Sequence, residues 1–395
     1  MKCLKGIWFH AFAIIHGLLP TSTSISAALI LRYATFSSHP RIVQMMFNQS
    51  LPFSRSAFLY NTLIPAQTMK GVDDDHMFTF DVYNGMLRSG VVPDDHTFPF
   101  VINLCTDYTE VKKGLEVHGM LMKLGFDYDV FVNSTLLLFY GSFGDLAGAR
   151  TVFNEMPKRD LVLWNSVIRV FSDSKCYFEA IGVINEMFLW SEFKPNVVSV
   201  VSVLPTCAVL EDEIMVSEIH CYGIKVGLDC QVSVGNAFVD AYGKCLNVES
   251  SRRVFDEMVE RNEVSWTAMI GTFSHNGFNN HVLESFRFMI DEGWRVNSTT
   301  ISSLLPVLVE LGKFSKGREV HGFCLRTGLE CDVLVANALI DMYAKSERSA
   351  EASGVFYNMD SRNVVSWNTM VANFAQLYDL LGKCNLVVKL QHLLR

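Results

Sequence analysis

FNEMPKRDLVLWNSVI, at residues 153–168, is written again as FDEMVERNEVSWTAMI at 255–270 and as FYNMDSRNVVSWNTMV at 356–371. The three copies set Trp164, Trp266 and Trp367 at intervals of 102 and then 101 residues, and Phe153, Phe255 and Phe356 keep the same intervals. His118, His220 and His321, which lie outside the quoted text, keep them too. Three markers at one interval mean internal repetition, and that reading takes precedence over any local one. Within each copy the apolar residues have helical spacing: Trp164, Val167, Ile168 and Phe171 stand at i, i+3, i+4 and i+7, as do Trp266, Met269, Ile270 and Phe273, and Trp367, Met370, Val371 and Phe374. Ala149, Val152, Phe153 and Met156 repeat the spacing in the helix before. Each set is one apolar face of an α-helix. No stretch sustains period-2 alternation, so no sheet is expected.

Each long period divides into three helical hairpins. Gly125, Gly227 and Gly328 recur at equivalent places, each two residues after a cation: Lys123, Lys225 and Arg326. A glycine tolerates the left-handed conformation just past a helix end, and a cation there suits the helix dipole. A lone hairpin cannot bury both its faces, so neighbours must stack into a superhelix with a continuous core and a concave surface.

The bulk composition fits this picture. A chain of 395 residues would ordinarily make two or three globular domains, but a repeat array grows by adding units. The formal net charge of −8 argues mildly against nucleic acid, although a basic groove can sit on an acidic protein. Ten cysteines occur with no C-x-x-C pair, so neither a zinc site nor a secreted disulfide framework is indicated, and a reduced compartment with buried thiols is expected. Residues 1–72 contain no Asp or Glu, Thr21–Ser26 is rich in Ser and Thr, and Lys2, Lys5, Arg32 and Arg41 are basic. That composition suits an organelle transit peptide, or the start of the array itself. The apolar run Ile7–Leu19 is interrupted by His10 and His16 and is too short to span a membrane.

These motifs resemble the P, L and S motifs of plant pentatricopeptide repeat proteins, over about residues 1–376. An incomplete L-like piece (LKGIWFHAFAIIHGL) ends near 22, and an S-like motif follows at 23–56. Then come P 57–94, L 95–129, S 130–160, P 161–196, L 197–231, S 232–262, P 263–297, L 298–332 and S 333–363. A partial P motif opens at Val364 and loses the pattern after Gln376, leaving 377–395 as a divergent tail expected to pack poorly. The P motifs 57–94 and 161–196 exceed the usual length, with the extra residues expected in inter-helix turns. No E or DYW type of C-terminal extension is recognisable. The resemblance implies an all-α, right-handed α-solenoid of about ten helix-turn-helix repeats.

It also implies sequence-specific binding of single-stranded RNA, one base per repeat. Unstacked bases expose their Watson–Crick edges to short polar side chains. In such proteins position 5 and the last residue of each motif choose the base: Asn at position 5 favours pyrimidines and Ser or Thr purines, while a last Asp favours U or G and a last Asn favours C or A. The pairs here are Asn61/Asp94, Ser134/Asp160, Asn165/Asn196, Asn236/Asn262, Thr267/Asn297 and Asn337/Asn363. Taken singly, each residue could equally be an ordinary turn or cap residue. The position-2 side chains that pack between bases are Phe58, Phe131, Val162, Ser233, Val264, Leu334 and Val365, with Ser233 departing from the apolar norm. The L motifs carry Pro99/Asp129, Val201/Gln231 and Ser302/Asp332, to which no base is assigned. The resulting readout, 5′ to 3′, is U, any, G, pyrimidine, any, pyrimidine, A, any, pyrimidine.

Nothing in the sequence points to catalysis, a metal or a cofactor. Some relatives carry a cytidine deaminase, which needs H-x-E and P-C-x-x-C, and neither motif occurs. The periodic histidines read as packing residues and the 17 methionines as core filler. The resemblance implies a specificity factor for C-to-U editing or related processing of RNA in mitochondrion or chloroplast, with any deaminase or editing protein supplied in trans and no membrane partner. A protein-binding scaffold of the tetratricopeptide kind is the alternative, disfavoured by motif lengths and the missing W-x2-L-G-x2-Y pattern. A truncated, non-functional product is a further one.

Overall fold

The structure is a computed structural model that describes residues 11–16, 22–36, 56–68, 76–190 and 192–383. Among the described residues there is no β-strand. The helices are α1 (Thr23–Phe36), α2 (Ala57–Thr68), α3 (His76–Arg88), α4 (Thr97–Asp107), α5 (Val111–Leu124), α6 (Val130–Ser142), α7 (Leu146–Glu155), α8 (Leu161–Asp173) and α9 (Tyr177–Trp190). They continue with α10 (Val197–Val209), α11 (Glu213–Val226), α12 (Val232–Lys244), α13 (Val248–Glu257), α14 (Glu263–His275) and α15 (Asn279–Asp291). Last come α16 (Ser298–Glu310), α17 (Phe314–Thr327), a 3-10 turn at Leu329–Cys331, α18 (Val333–Lys345), α19 (Ser349–Asn358) and α20 (Val364–Lys383). From α2 to α19 they pair into helical hairpins. The chain forms two compact units, residues 1–195 and 196–395. In each, hairpins stack in chain order, first helix on first helix, as in an α-solenoid.

The repeated apolar faces make the core. In unit one Trp164, Val167, Ile168 and Phe171 are buried, and in unit two Trp266, Met269, Ile270 and Phe273 are. Every quoted copy builds the same joint. Phe153, Phe255 and Phe356 meet the edge of Trp164, Trp266 and Trp367 with ring centroids 4.9 Å apart. On the other side of each Phe lies a guanidinium, Arg159, Arg261 or Arg362, at 4.5, 4.8 and 5.1 Å from the ring centroid. Each guanidinium also donates through Nε to the carbonyl of that same Phe at 2.9–3.0 Å. The three arginines are therefore spent on joining hairpins.

Turn geometry recurs as faithfully. Gly125, Gly227 and Gly328 cap their helices at φ 79°, 75° and 75°, where a side chain would be strained. The tight turn inside each hairpin from α4 onward also needs one left-handed residue. It is glycine at Gly144, Gly277 and Gly312, but Thr109, Lys175, Glu211, Leu246 and Glu347 hold positive φ there without that freedom.

One expectation needs correcting. The extra residue of 161–196 does not lie in a turn. It lengthens α9 to 14 residues against 13 in α15, because a helix end absorbs one more residue without disturbing the turn before it. The last helix, α20, runs past the point where the repeat pattern is lost, through Gly382 to Lys383. The tail beyond 383, residues 37–55 of the S-like motif, and most of 1–22, including the transit-peptide reading, lie outside the described residues.

Candidate nucleic-acid interface

Positions 2 and 5 fall one helical turn apart on the first helix of each hairpin, so their side chains share a face. The position-2 side chains lie open on it. Phe58, Phe131, Val162, Val264, Leu334 and Val365 are 48–62% exposed, and Ser233 is exposed as well. Isolated exposed apolar residues are ordinary, but here they recur at one position of the P- and S-type motifs, with Ser233 the exception.

The last residue of each motif is the N-cap of the next first helix, except Asp94, which lies two residues before the N-cap His96 of α4 and still accepts from its first turn. Asp94 Oδ1 accepts from Thr97 N at 2.9 Å, Asp160 from Leu163 N at 2.9 Å, Asn196 from Ser199 N at 3.0 Å, Asn262 from Ser265 N at 3.0 Å, Asn297 from Thr300 N at 2.9 Å and Asn363 from Ser366 N at 2.9 Å. A cap of this kind satisfies one of the orphan N–H groups of a helix start. Except at Asp160, a hydroxyl three residues on reinforces it. Thr97, Ser199, Ser265, Thr300 and Ser366 are fully buried, and each hydroxyl donates to the cap oxygen at 2.8–3.2 Å. Sequence reading overlooked these five, although D/N-x-x-S/T recurs at each junction and is a capping signal.

The cap residue also meets position 5, through its capping oxygen at Asp94, Asn262 and Asn363 and through its amide at Asn297. Asn61 Nδ2 donates to Asp94 Oδ1 at 2.7 Å, and Thr97 Oγ1 lies 2.6 Å from Asn61 Oδ1, so its single proton is shared between Asn61 and Asp94. Burial raises the Asp94 carboxyl, but hydrogen bonds from Asn61, Thr97 and His96 outweigh it and hold the group below its ordinary value. Asn297 Nδ2 donates to Thr267 Oγ1 at 3.2 Å, while Thr267 also bonds the Glu263 carbonyl and Thr300. Asn236 Nδ2 donates to Asn262 Oδ1 at 3.3 Å, and Asn337 Nδ2 to Asn363 Oδ1 at 3.4 Å. In both the position-5 carbonyl, Asn236 Oδ1 or Asn337 Oδ1, is buried with no donor.

Other residues are placed differently. Ser134 turns its hydroxyl to the Val130 carbonyl at 2.7 Å and does not bond Asp160. Asn165 lies on α8 in unit one and Asn196 caps α10 in unit two. In the L motifs Pro99 is buried in α4, Val201 is half-buried, and Ser302 bonds the Thr299 carbonyl. Asp129 and Asp332 cap α6 and α18, whereas Gln231 makes no cap bond.

The periodic histidines have a structural partner. His118, His220 and His321 place Nδ1 at 2.7, 3.1 and 2.7 Å from the hydroxyls of Tyr140, Tyr242 and Tyr343, joining each second helix to the next first helix. Burial holds all three imidazoles below their ordinary value, partly countered by Glu155 at His118, Glu257 and Asp229 at His220, and Glu330 at His321. The unfolded chain therefore takes up protons first, so these groups contribute stability that is full above about pH 6.5 and is lost as the pH falls. The melting temperature is expected to drop between about pH 6.5 and 5, more steeply in the parent than in the triple variant His118→Gln, His220→Gln, His321→Gln. Equal slopes would assign that acid sensitivity to other groups.

The comparisons with known proteins agree with this architecture. A family model described as PPR repeat matches residues 162–189, 236–263, 264–294 and 335–364. A chloroplastic pentatricopeptide repeat-containing protein of Arabidopsis thaliana is 34% identical over 323 residues, 82% of this chain and 39% of the relative. A second Arabidopsis thaliana pentatricopeptide repeat-containing protein is 30% identical over 373 residues, 94% of this chain and 60% of the relative. The chain thus spans between two- and three-fifths of the length of these relatives. Among solved structures, the pentatricopeptide repeat protein PPR10 in complex with an 18-nt psaJ RNA element superposes with a TM-score of 0.70 at 18% identity, covering 96% of this chain and 57% of that one. PPR10 from maize gives a TM-score of 0.60 at the same identity, over 94% and 59%. Fold, repeat text and relatives agree, and the chain belongs to the pentatricopeptide repeat proteins.

Proposed function

We propose that this chain binds single-stranded RNA in a sequence-specific way, one base to each P- and S-type hairpin. The observation that carries the reading is the orphaned carbonyl of Asn236 and of Asn337, buried beside a capping Asn and one turn from an exposed position-2 side chain, Ser233 and Leu334 respectively. A buried acceptor without a donor costs about 1–3 kcal/mol. A base edge supplies the donor, and the position-2 side chains Phe58, Phe131, Val162, Val264, Leu334 and Val365 supply surfaces for the base faces.

The cap geometry supports a physical reason for the readout. With one oxygen committed to the helix start, a capping Asp offers its second oxygen, an acceptor. A capping Asn offers its amide, a donor. Uracil N3–H and guanine N1–H are donors and suit Asp94 and Asp160. Cytosine N3 and adenine N1 are acceptors and suit Asn196, Asn262, Asn297 and Asn363. The position-5 partners Asn61, Asn165, Asn236 and Asn337 then favour pyrimidines, and Ser134 and Thr267 purines. The role that follows is recognition of organellar transcripts, in mitochondrion or chloroplast, for C-to-U editing or related processing. The chemistry would come from a partner such as a deaminase acting in trans.

Binding should weaken as salt rises, because neutralised phosphates release counterions. The slope should be shallow. The chain has 33 Lys and Arg against 41 Asp and Glu, and Arg159, Arg261 and Arg362 are held by carbonyls. For about two neutralised phosphates, roughly a 5- to 10-fold loss is expected over about a four-fold rise in salt. Filter binding of a nine-base RNA with the readout above measures it. Equal affinity for a scrambled RNA at every salt concentration would remove the specific reading.

A further inference from the structure

A cleft of about 910 Å3 opens between α15 and α17, on the side of the second helices. Its floor is apolar, from Leu304 and Leu308 of α16 and from Ile290, Val320 and Phe323. Its rim is basic: Arg287, Arg295, Lys313, Lys316 and Arg326, against one carboxylate, Glu319. Lys316 pairs with Glu319 at 2.9 Å. Among the described residues the other four cations have no ion-pair partner. On a chain of net charge −8 that is a local excess in need of an anion.

The corresponding place in unit one shows what closes such a cleft. Residues 83, 84, 113 and 116 correspond to 286, 287, 316 and 319, as Gly90 corresponds to Gly293 and Asp94 to Asn297. There Lys113 Nζ donates to Asn84 Oδ1 at 3.1 Å, tying α5 to α3, and lies 5.8 Å from the centroid of the Tyr83 ring. In unit two the residue opposite Lys316 is Arg287, a like charge that cannot accept the bond. The tie between second helices is replaced by two cations facing an apolar cavity of ligand size.

We propose that this cleft binds a free amphipathic anion: a carboxylate or phosphate monoester head held by Arg287, Lys316 and Arg326, with a single alkyl chain or aromatic body on Leu304, Leu308 and Phe323. Charged head groups bind strongly to guanidinium forks, and the floor gains by covering its apolar surface. The site uses none of the capping or position-5 residues proposed to read bases, so it stands or falls independently of RNA binding.

The test is calorimetric titration of the whole chain with monomeric dodecyl phosphate, beside dodecanol and inorganic phosphate. Saturable 1:1 binding is expected for dodecyl phosphate, with neither control matching it. Arg287→Asn, which installs the residue of unit one, should weaken binding at least about 10-fold, and Arg326→Gln should weaken it in the same direction. Unchanged circular dichroism melts would show that both variants fold. Equal binding of dodecanol, undiminished binding in both variants, binding only to phosphatidic acid vesicles, or displacement of dodecyl phosphate by single-stranded RNA would each overturn the proposal.

Discussion

The double substitution Thr267→Asn with Asn297→Asp is expected to move the preferred base at one position from A to U. It reproduces the Asn61/Asp94 arrangement, in which the position-5 amide donates to the capping carboxylate at 2.7 Å. The cap survives, because Asp accepts from Thr300 N and Thr300 Oγ1 as Asn297 does now at 2.9 Å. The outward end changes from a donor to an acceptor, so adenine N1 meets an oxygen and loses its bond, while uracil N3–H gains one. A lost base-edge contact costs about 1–3 kcal/mol, by analogy with DNA readout, which corresponds to roughly 5- to 150-fold for the A-containing RNA. The U-containing RNA should recover the affinity. Thr267 is buried and shares its hydroxyl with Glu263 and Thr300, so the larger Asn must turn its amide toward the capping carboxylate, as Asn61 does. The measurement is a panel of four RNAs that differ at that base. Identical ranking by parent and variant would show that Thr267 and Asn297 do not read bases, and the assignments at the other pairs would fall with them.

The helical repeat was legible because each hairpin carries both its period and its punctuation. Trp266, Met269, Ile270 and Phe273 declare a buried face by spacing alone, and Gly227 and Gly328 mark helix ends where only a left-handed residue fits. What stayed hidden depends on chains of contact that no spacing reveals. That Arg261 is held by the Phe255 carbonyl, that His220 bonds Tyr242, and that Ser265 locks Asn262 as a cap are pairings across helix junctions. The candidate site was legible as a list of polar positions, but its polarity was not. A capping role and a base-reading role looked like competing explanations for Asn262 or Asn297. The structure makes the first compatible with the second, since capping uses one end of the side chain and leaves the other. Ser134 shows the opposite limit: a hydroxyl satisfied by its own helix at Val130 looks, in sequence, the same as one aimed outward.

Replacing Trp266 by Ala should destabilise unit two by about 3–5 kcal/mol, the range for a buried large aromatic, whereas Trp367→Ala should cost only about 1 kcal/mol. The two residues occupy the same place in the same quoted text, so sequence alone would give them equal weight. Their surroundings differ. Trp266 is 6% exposed, meets Phe255 at 4.9 Å, stacks at 6.5 Å on Phe288 of the paired second helix, and donates its Nε1–H to Glu292 at 3.1 Å. Trp367 meets Phe356 in the same edge-on way but is 56% exposed, with Val371 and Phe374 on its helix exposed beside it. One side of the indole is packed in both, and among the described residues only Trp266 has the other side covered by the second helix of its hairpin. In a repeat array each hairpin leans on its neighbours, so loss at α14 should spread to α12 and α16, which pack against it. Hydrogen exchange followed by mass spectrometry resolves this where a single unfolding midpoint would not. Trp266→Ala should speed exchange from α12 through α16, and Trp367→Ala should confine its effect to α20. Comparable losses from both variants would mean that the Phe–Trp joint alone, and not cover by the paired helix, sets the stability of each hairpin.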